Sequence, residues 1–114
     1  MGDYITIRNA GGTWVVRAGG AILGESTGAL ELAEGSYPPV IYFPRSDIAM
    51  AMLEPSEKVT TCPHKGQASY FSISTGSGMI KDAVWTYESP NEQVARIKDH
   101  LAFYASDEVT VEQI

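Results

Sequence analysis

Short strand-like stretches, separated by glycine, fill the first third of the chain. They are residues 4–8, 14–17, 23–26 and 30–33. Apolar and polar residues alternate in most of them, and this period of two is typical of a strand with one buried face. Gly11-Gly12 and Gly19-Gly20 favour turns between them. Because such connections are short, the pattern predicts antiparallel neighbours.

The same kind of pattern continues in the rest of the chain. The further predicted strands are residues 40–43, 68–74 and 79–87 and a closing segment around 109–111. The segment Thr75-Gly76-Ser77-Gly78 is rich in turn-forming residues, so it predicts a hairpin between the second and third of these.

One segment has the pattern of a helix. Ser89 and Glu92 have the spacing of a capping box, and Pro90 suits the first helical position. Apolar residues then recur at helical spacing at Val94, Ile97 and Leu101. The pattern predicts one α-helix over about 89–102.

Many strands and a single helix predict a mainly β fold. The expected architecture is a small antiparallel β barrel or a folded sheet, with the helix in the C-terminal half. A length of 114 residues corresponds to one domain, 1–114.

The charge balance argues against several partners. Asp and Glu number 14 against 8 Lys and Arg, for a formal net charge of −6. Phosphate-backbone binding draws on clustered basic residues, so nucleic acid is not an expected partner. An anionic membrane surface is disfavoured for the same reason.

Further features bear on location and assembly. The chain has no run of roughly 18 apolar residues and no signal-peptide pattern at its start. Its single cysteine cannot form an internal disulfide, which favours a reduced, cytoplasmic protein, although a lone cysteine is tolerated elsewhere. We expect a monomer or homodimer without a cofactor.

Cysteine, histidine and lysine lie close together at Cys62-Pro63-His64-Lys65-Gly66. In extended backbone Cys62 and His64 point the same way, and a nearby imidazole or ammonium can lower the pKa of a thiol. The functional interpretation makes Cys62 a nucleophile or redox group, with His64 and Lys65 activating it or holding an anionic ligand. The alternative is an inert, buried cysteine beside a surface histidine and lysine.

Tyr42, Arg45 and Asp47 form a second cluster. A guanidinium binds carboxylate or phosphate bidentately, and Asp47 could orient it or act as a base. The alternative is an ion pair between Arg45 and Asp47 that holds a loop. We hypothesise that Arg45 and Lys65 face one pocket.

Aromatic residues could form the walls of that pocket. Trp85 and Tyr87 are two apart and share a face of a strand, whereas Tyr70 lies on the face opposite Phe71 and Ile73. Aromatic walls with a few polar groups are typical of ligand sites, but aromatic residues at alternating positions are also common in a core.

A zinc site is the weaker alternative for the same region. Cys62, His64 and His100 could supply three ligands. Structural zinc, however, usually has paired cysteines, and this chain has one. No metal site is therefore predicted.

Five motifs occur in order along the chain: Tyr37-Pro38-Pro39, Tyr42-Phe43-Pro44-Arg45-x-Asp47, Cys62-Pro63-His64-Lys65-Gly66-x-Ala68-x-Tyr70, Ala83-x-Trp85-x-Tyr87-Glu88-x-Pro90 and Ala102-Phe103-Tyr104. Together they resemble the small bacterial and fungal proteins of the domain of unknown function 427 (DUF427). The likeness runs from about Gly24 to the C-terminus. It implies a compact, β-rich single domain without a settled activity.

The resemblance also brings a nucleotidyltransferase-type label. Nucleotidyl transfer needs carboxylates that hold metal ions, usually as an Asp-x-Asp or Asp-x-Glu pair. The sequence contains no such pair and no Gly-x-Gly-x-x-Gly or Walker-type loop. The label therefore adds little to the residues themselves.

Two classes of function follow from these observations. One is a small-molecule enzyme or a ligand-binding domain for an anionic or polar ligand. The candidate catalytic residues are Cys62, His64, Lys65 and Asp47, and the candidate ligand-binding residues are Tyr42, Arg45, Gly66, Tyr70 and Trp85. The other is a non-catalytic structural or protein-interaction domain whose motifs preserve turns and a rigid core.

Overall fold

A computed structural model describes residues 4–114 and contains ten strands. In chain order, β1 to β10 are Ile5–Asn9, Trp14–Ala18, Ala21–Ser26, Leu30–Glu34, Val40–Tyr42, Leu53–Cys62, Gly66–Thr75, Gly78–Thr86, Leu101–Phe103 and Val109–Gln113. Strands make up 59% of the chain and helical residues 11%, so the predicted mainly β class is confirmed. No helix within residues 4–114 has the length and apolar character needed to cross a membrane.

The strands form three antiparallel sheets, with orders β1-β4-β5, β10-β2-β3 and β6-β7-β8-β9. Within the described residues none of the three sheets closes on itself. Of the two expected architectures, the folded sheet is therefore the one observed, and the barrel is not. The predicted hairpin is present, because β7 pairs with β8 across the turn at Gly76 and Ser77.

The short strand β9 connects two of these sheets. One of its edges pairs with β8, where Ala102 lies opposite Trp85. On the other side Leu101 and Phe43 exchange two backbone hydrogen bonds of 2.8 and 2.9 Å. The chain just after β5 is thereby fixed beside β8, although the two strands belong to different sheets.

Two apolar clusters form the core. The first lies among all three sheets and includes Phe43, Ile73 and Leu101, each fully buried. The second is richer in tyrosine, and its members are Leu30, Leu32, Tyr42, Ala68, Tyr70, Tyr87, Val94, Ile97 and Ala102. Burial of one large apolar side chain contributes roughly 1.5–3 kcal/mol to the stability of the fold. The second cluster therefore stabilises the positions of the polar groups that surround it.

The predicted α-helix over about 89–102 is replaced by a shorter 3₁₀ helix, Glu92–Ile97, which is kinked at Val94 (φ −121°, ψ 28°). The N-cap residue is Asn91 rather than Ser89, and it makes no side-chain capping bond. The expected capping box of Ser89 and Glu92 therefore does not form. Leu101 and Ala102, predicted as the end of the helix, belong with Phe103 to β9.

Backbone pairing explains this difference. Asp99 adopts a left-handed conformation (φ 62°), and its amide donates to the carbonyl oxygen of Tyr87 at 3.0 Å. The chain then turns into β9 and gains the ladder bonds to β8 and to Phe43. The three apolar residues with helical spacing are all fully buried: Val94, Ile97 and Leu101. The short 3₁₀ helix and the strand that follows it bury them without a continuous helix.

Asp99 allows a direct test of this conformation. In the left-handed region glycine avoids the steric cost that a Cβ atom brings, whereas inside a helix alanine is the more stable residue by about 1 kcal/mol. We expect Asp99→Gly to unfold with a higher free energy than Asp99→Ala, by about 1 kcal/mol. Urea unfolding of both variants measures the difference, and an Ala variant that is the more stable would contradict the turn at Asp99.

Candidate functional site

A small cleft lies where β4, β5, β7 and β8 meet the turn between β6 and β7. Its volume is about 200 Å³. The lining residues are Leu32, Glu34, Tyr37, Pro38, Val40, Tyr42, Lys65, Tyr70, Trp85, Tyr87 and Tyr104. Four predicted site residues are among them: Tyr42, Lys65, Tyr70 and Trp85.

Lys65 is the one basic residue in that lining, and it is 9% exposed. The turn around it is fixed by two backbone bonds, from its amide to the carbonyl of Cys62 (3.2 Å) and from the amide of Asn91 to its carbonyl (2.9 Å). Its Nζ lies 2.5 Å from Oε1 of Glu34. A buried charge needs such a partner, and an ammonium group has three N–H donors, so the ion pair uses only part of its capacity.

Trp85 and Tyr42 face each other in the cleft. The indole Nε1 of Trp85 donates to the hydroxyl of Tyr42 at 3.2 Å, and the two rings meet edge to face with centroids 6.3 Å apart. Tyr104 lies on another side of Trp85, with ring centroids 4.4 Å apart. These contacts hold the indole in one orientation.

Tyr70 lies directly opposite Trp85 in the ladder between β7 and β8. Its hydroxyl is hydrogen-bonded to Oγ1 of Thr60 at 2.9 Å. The ammonium of Lys58 lies 4.8 Å from the centre of the Tyr70 ring, which places a second positive charge near the cleft.

Burial changes the acidity of these tyrosines. It raises the pKa of Tyr42 from 10.0 to about 12, and the nearby carboxylate of Glu34 contributes to the rise. Burial is also the largest cause of the raised pKa of Tyr87. Tyr104 is half-exposed, and partial removal from water, followed by the effect of the hydroxyl of Tyr70, raises its pKa to about 12. At neutral pH all three hydroxyls are protonated and can donate hydrogen bonds.

The cysteine and histidine of the predicted site lie outside the cleft lining. Cys62 is half-buried at the end of β6, and His64 is exposed, with its ring 5.1 Å from that of Tyr4. Gly66 has φ +110°, and a Cβ atom there would lie 3.4 Å from the side chain of Asn91 and the carbonyl of Ser89. This conformation requires glycine whether or not a ligand is bound.

Arg45 and Asp47 also lie away from the cleft lining. The guanidinium of Arg45 donates from Nε to the carbonyl of Asp99 at 3.0 Å and from Nη2 to Oγ1 of Thr86 at 3.2 Å. Asp47 is exposed in the 3₁₀ turn Arg45–Asp47. The structure therefore does not bring Arg45 and Lys65 into one cavity, and it places Arg45 where it connects β8 to the turn at Asp99.

Sequence reasoning missed several residues of the cleft, above all Glu34 and Tyr104, whereas Tyr87 is one of the aromatic residues considered as a pocket wall. Glu34 ends β4 and is 31 residues from Lys65, so no local motif joins the two charges. A signal was available for Tyr104, since it belongs to the motif Ala102-Phe103-Tyr104.

The chain matches the family model described as domain of unknown function (DUF427) over residues 6–113. The chain belongs to the DUF427 family. The match extends further towards the N-terminus than the five motifs, so β1 and β2 are part of the family domain. No curated protein matches the chain significantly. Within residues 4–114 no group of three or more His, Cys, Asp or Glu side chains is arranged to hold a metal ion.

The position of Arg45 predicts a structural effect on this DUF427 domain. Replacing it with methionine removes two charge-assisted hydrogen bonds, each contributing roughly 1 kcal/mol or more. We expect Arg45→Met to lower the free energy of unfolding by about 1–3 kcal/mol in urea. The matched control is Arg17→Met, which breaks a surface ion pair with Glu112 and should cost about 0–1 kcal/mol. Equal, small losses would contradict this role.

The tyrosines predict a loss of stability in base. A tyrosine whose pKa is higher in the folded than in the unfolded state stabilises the folded state as long as it is protonated. For Tyr42 this stabilisation is complete below pH 10 and is lost as the pH rises towards 12. Ionisation of the buried Tyr42 lowers the free energy of unfolding by up to about 1.4 kcal/mol per pH unit in that window. Tyr42→Phe and Tyr87→Phe should flatten the slope measured by urea unfolding, and Tyr37→Phe, at an exposed residue, should not. An unchanged slope in all three would exclude this cause.

Proposed function

We propose that this DUF427 protein binds a small polar or anionic ligand in the cleft around Lys65. The observation that carries the proposal is a largely buried ammonium group beside a cavity of about 200 Å³ that is walled by tyrosines and a tryptophan. Ligand sites combine such aromatic walls with a few convergent polar groups.

The cleft limits the size of this ligand. Its volume is below the range of about 300–1,000 Å³ found for pockets that hold drug-sized molecules. At about 30 Å³ for each water of the liquid, it would hold roughly six or seven waters. The proposed ligand is therefore a compact molecule, such as a monocarboxylic acid with a small body.

The polar groups indicate which chemistry would be recognised. Lys65 keeps donors beyond its bond to Glu34, and the buried hydroxyls of Tyr42 and Tyr87 stay protonated at neutral pH. These groups can donate to the oxygens of a carboxylate or a similar acceptor. Glu34 would accept from a hydroxyl or amine on the same ligand and would repel a ligand with several negative charges.

The proposal concerns binding rather than catalysis. Cys62 and His64, the candidates for thiol chemistry, do not line the cleft. The contacts of Arg45 and the conformation of Gly66 have structural reasons. In the alternative of a structural or interaction domain, Lys65 and Glu34 form a buried ion pair without a ligand. A ligand-binding measurement distinguishes this alternative from the proposal.

Benzoate and its neutral analogue benzamide are suitable probes. We expect benzoate to shift the indole resonance of Trp85 in a saturable way and to bind more tightly than benzamide. The variant Lys65→Met with Glu34→Gln removes both charges together, so no unpaired buried charge is left. Loss of the charged hydrogen bond should weaken benzoate binding roughly 10- to 100-fold.

The control is Lys81→Met, which removes an exposed positive charge on β8 away from the cleft. It should bind benzoate as the unchanged protein does. Unfolding in urea shows whether the double variant is folded. If the folded double variant binds benzoate equally well, or if no benzoate binds at all, the proposal fails and the structural alternative is favoured.

A further inference from the structure

A second and larger cavity lies next to the cleft. Its volume is about 360 Å³, and it is lined chiefly by apolar side chains, among them Trp14, Ile41, Trp85, Phe103 and Val111. Trp85 and Val40 line both cavities, so the same indole is a wall of each. The second cavity joins elements of all three sheets, since Trp14 is in β2, Ile41 in β5 and Phe103 in β9.

The two tryptophans offer hydrocarbon and π-electron surface here rather than donors. The indole N–H of Trp14 donates to the carbonyl of Gly11 at 2.9 Å, and that of Trp85 donates to Tyr42 at 3.2 Å. Neither acceptor lines this cavity. Both indole donors are thus occupied within the protein.

The charges around this cavity differ from those of the cleft, where Lys65 is paired with Glu34. Glu31 is the one charged residue in its lining, with a side chain 19% exposed. Its partner Arg8 lies 3.2 Å away, but the side chain of Arg8 is 76% exposed and is not part of the lining. A surface pair of this kind contributes little to stability, so the exchange of Arg8 for another cation at Glu31 costs little. The chain as a whole carries a net charge of −6.

We propose that this cavity binds a small organic cation with an apolar body, such as an aryl or alkyl ammonium. The faces of Trp14 and Trp85 would attract the positive charge through their π systems, and Glu31 would balance it. Tryptophan is the aromatic residue that binds cations best, and the interaction strengthens when water is excluded. This site is separate from the proposed function, because the walls other than Trp85 and Val40 differ and the preferred charge is opposite.

A matched pair of probes is phenyltrimethylammonium and 2-phenylpropan-2-ol. The two molecules are similar in shape, but only the first carries a charge. The chain has two tryptophans, so nitrogen–proton correlation spectra contain two indole signals, which Trp14→Phe assigns. We expect the cation to shift both signals in a saturable way. Its dissociation constant should be roughly 5- to 30-fold lower than that of the alcohol.

Glu31→Gln removes the charge and keeps the shape of the side chain. We expect it to weaken binding of the cation roughly 5- to 30-fold and to leave binding of the alcohol unchanged. Glu112→Gln is the control, because it makes the same charge change at an exposed residue that pairs with Arg17 and does not line the cavity. It should leave binding of the cation unchanged. Arg8→Gln should keep or improve binding of the cation.

Several results would overturn the assignment. They are equal binding of cation and alcohol, equal effects of Glu31→Gln and Glu112→Gln, or the absence of a saturable shift at Trp14. Binding of the cation should also survive the double substitution at Lys65 and Glu34, whereas binding of benzoate should survive Glu31→Gln. Failure of this site and failure of the proposed function are therefore seen separately.

Discussion

Strand β9 is three residues long, and the backbone hydrogen bonds on both of its edges join parts of the molecule that would otherwise be separate. β8 takes one edge and Phe43 takes the other, so the four-stranded sheet and the chain after β5 are held side by side. Leu101 and Ala102 are fully buried at this junction, and pairing and burial therefore favour the same arrangement. Arg45 reinforces it from outside, because its guanidinium bonds to both Thr86 and Asp99.

Both cavities follow from this junction. Tyr42 comes from β5, Trp85 from β8 and Tyr104 from the residue after β9, and the three rings meet because those elements are held together. Trp85 then has polar tyrosine hydroxyls on one side and apolar residues of three sheets on the other. Trp85 and Val40 thus lie between the cleft, which holds the pair of Lys65 and Glu34, and the cavity that is lined by Glu31.

Much of the fold was predictable from local pattern. Alternation and glycine placed most of the strands, since a strand with one buried face must repeat every two residues. The stripe of Val94, Ile97 and Leu101 was misleading, because a helical spacing of buried residues also suits a short 3₁₀ helix followed by a strand. The choice between the two depends on hydrogen bonds to Tyr87, β8 and Phe43, which are distant in sequence.

The mainly β class, the DUF427 family and four of the residues in the cleft were predictable from the sequence, because periodicity, turn chemistry and motifs are local properties of a chain. Local patterns could not predict that Glu34 is the partner of Lys65 or that Arg45 is bound to the turn at Asp99. An ammonium or guanidinium group can pair with any acceptor that the fold brings within reach. That acceptor is set by the packing of sheets whose strands are far apart in the chain.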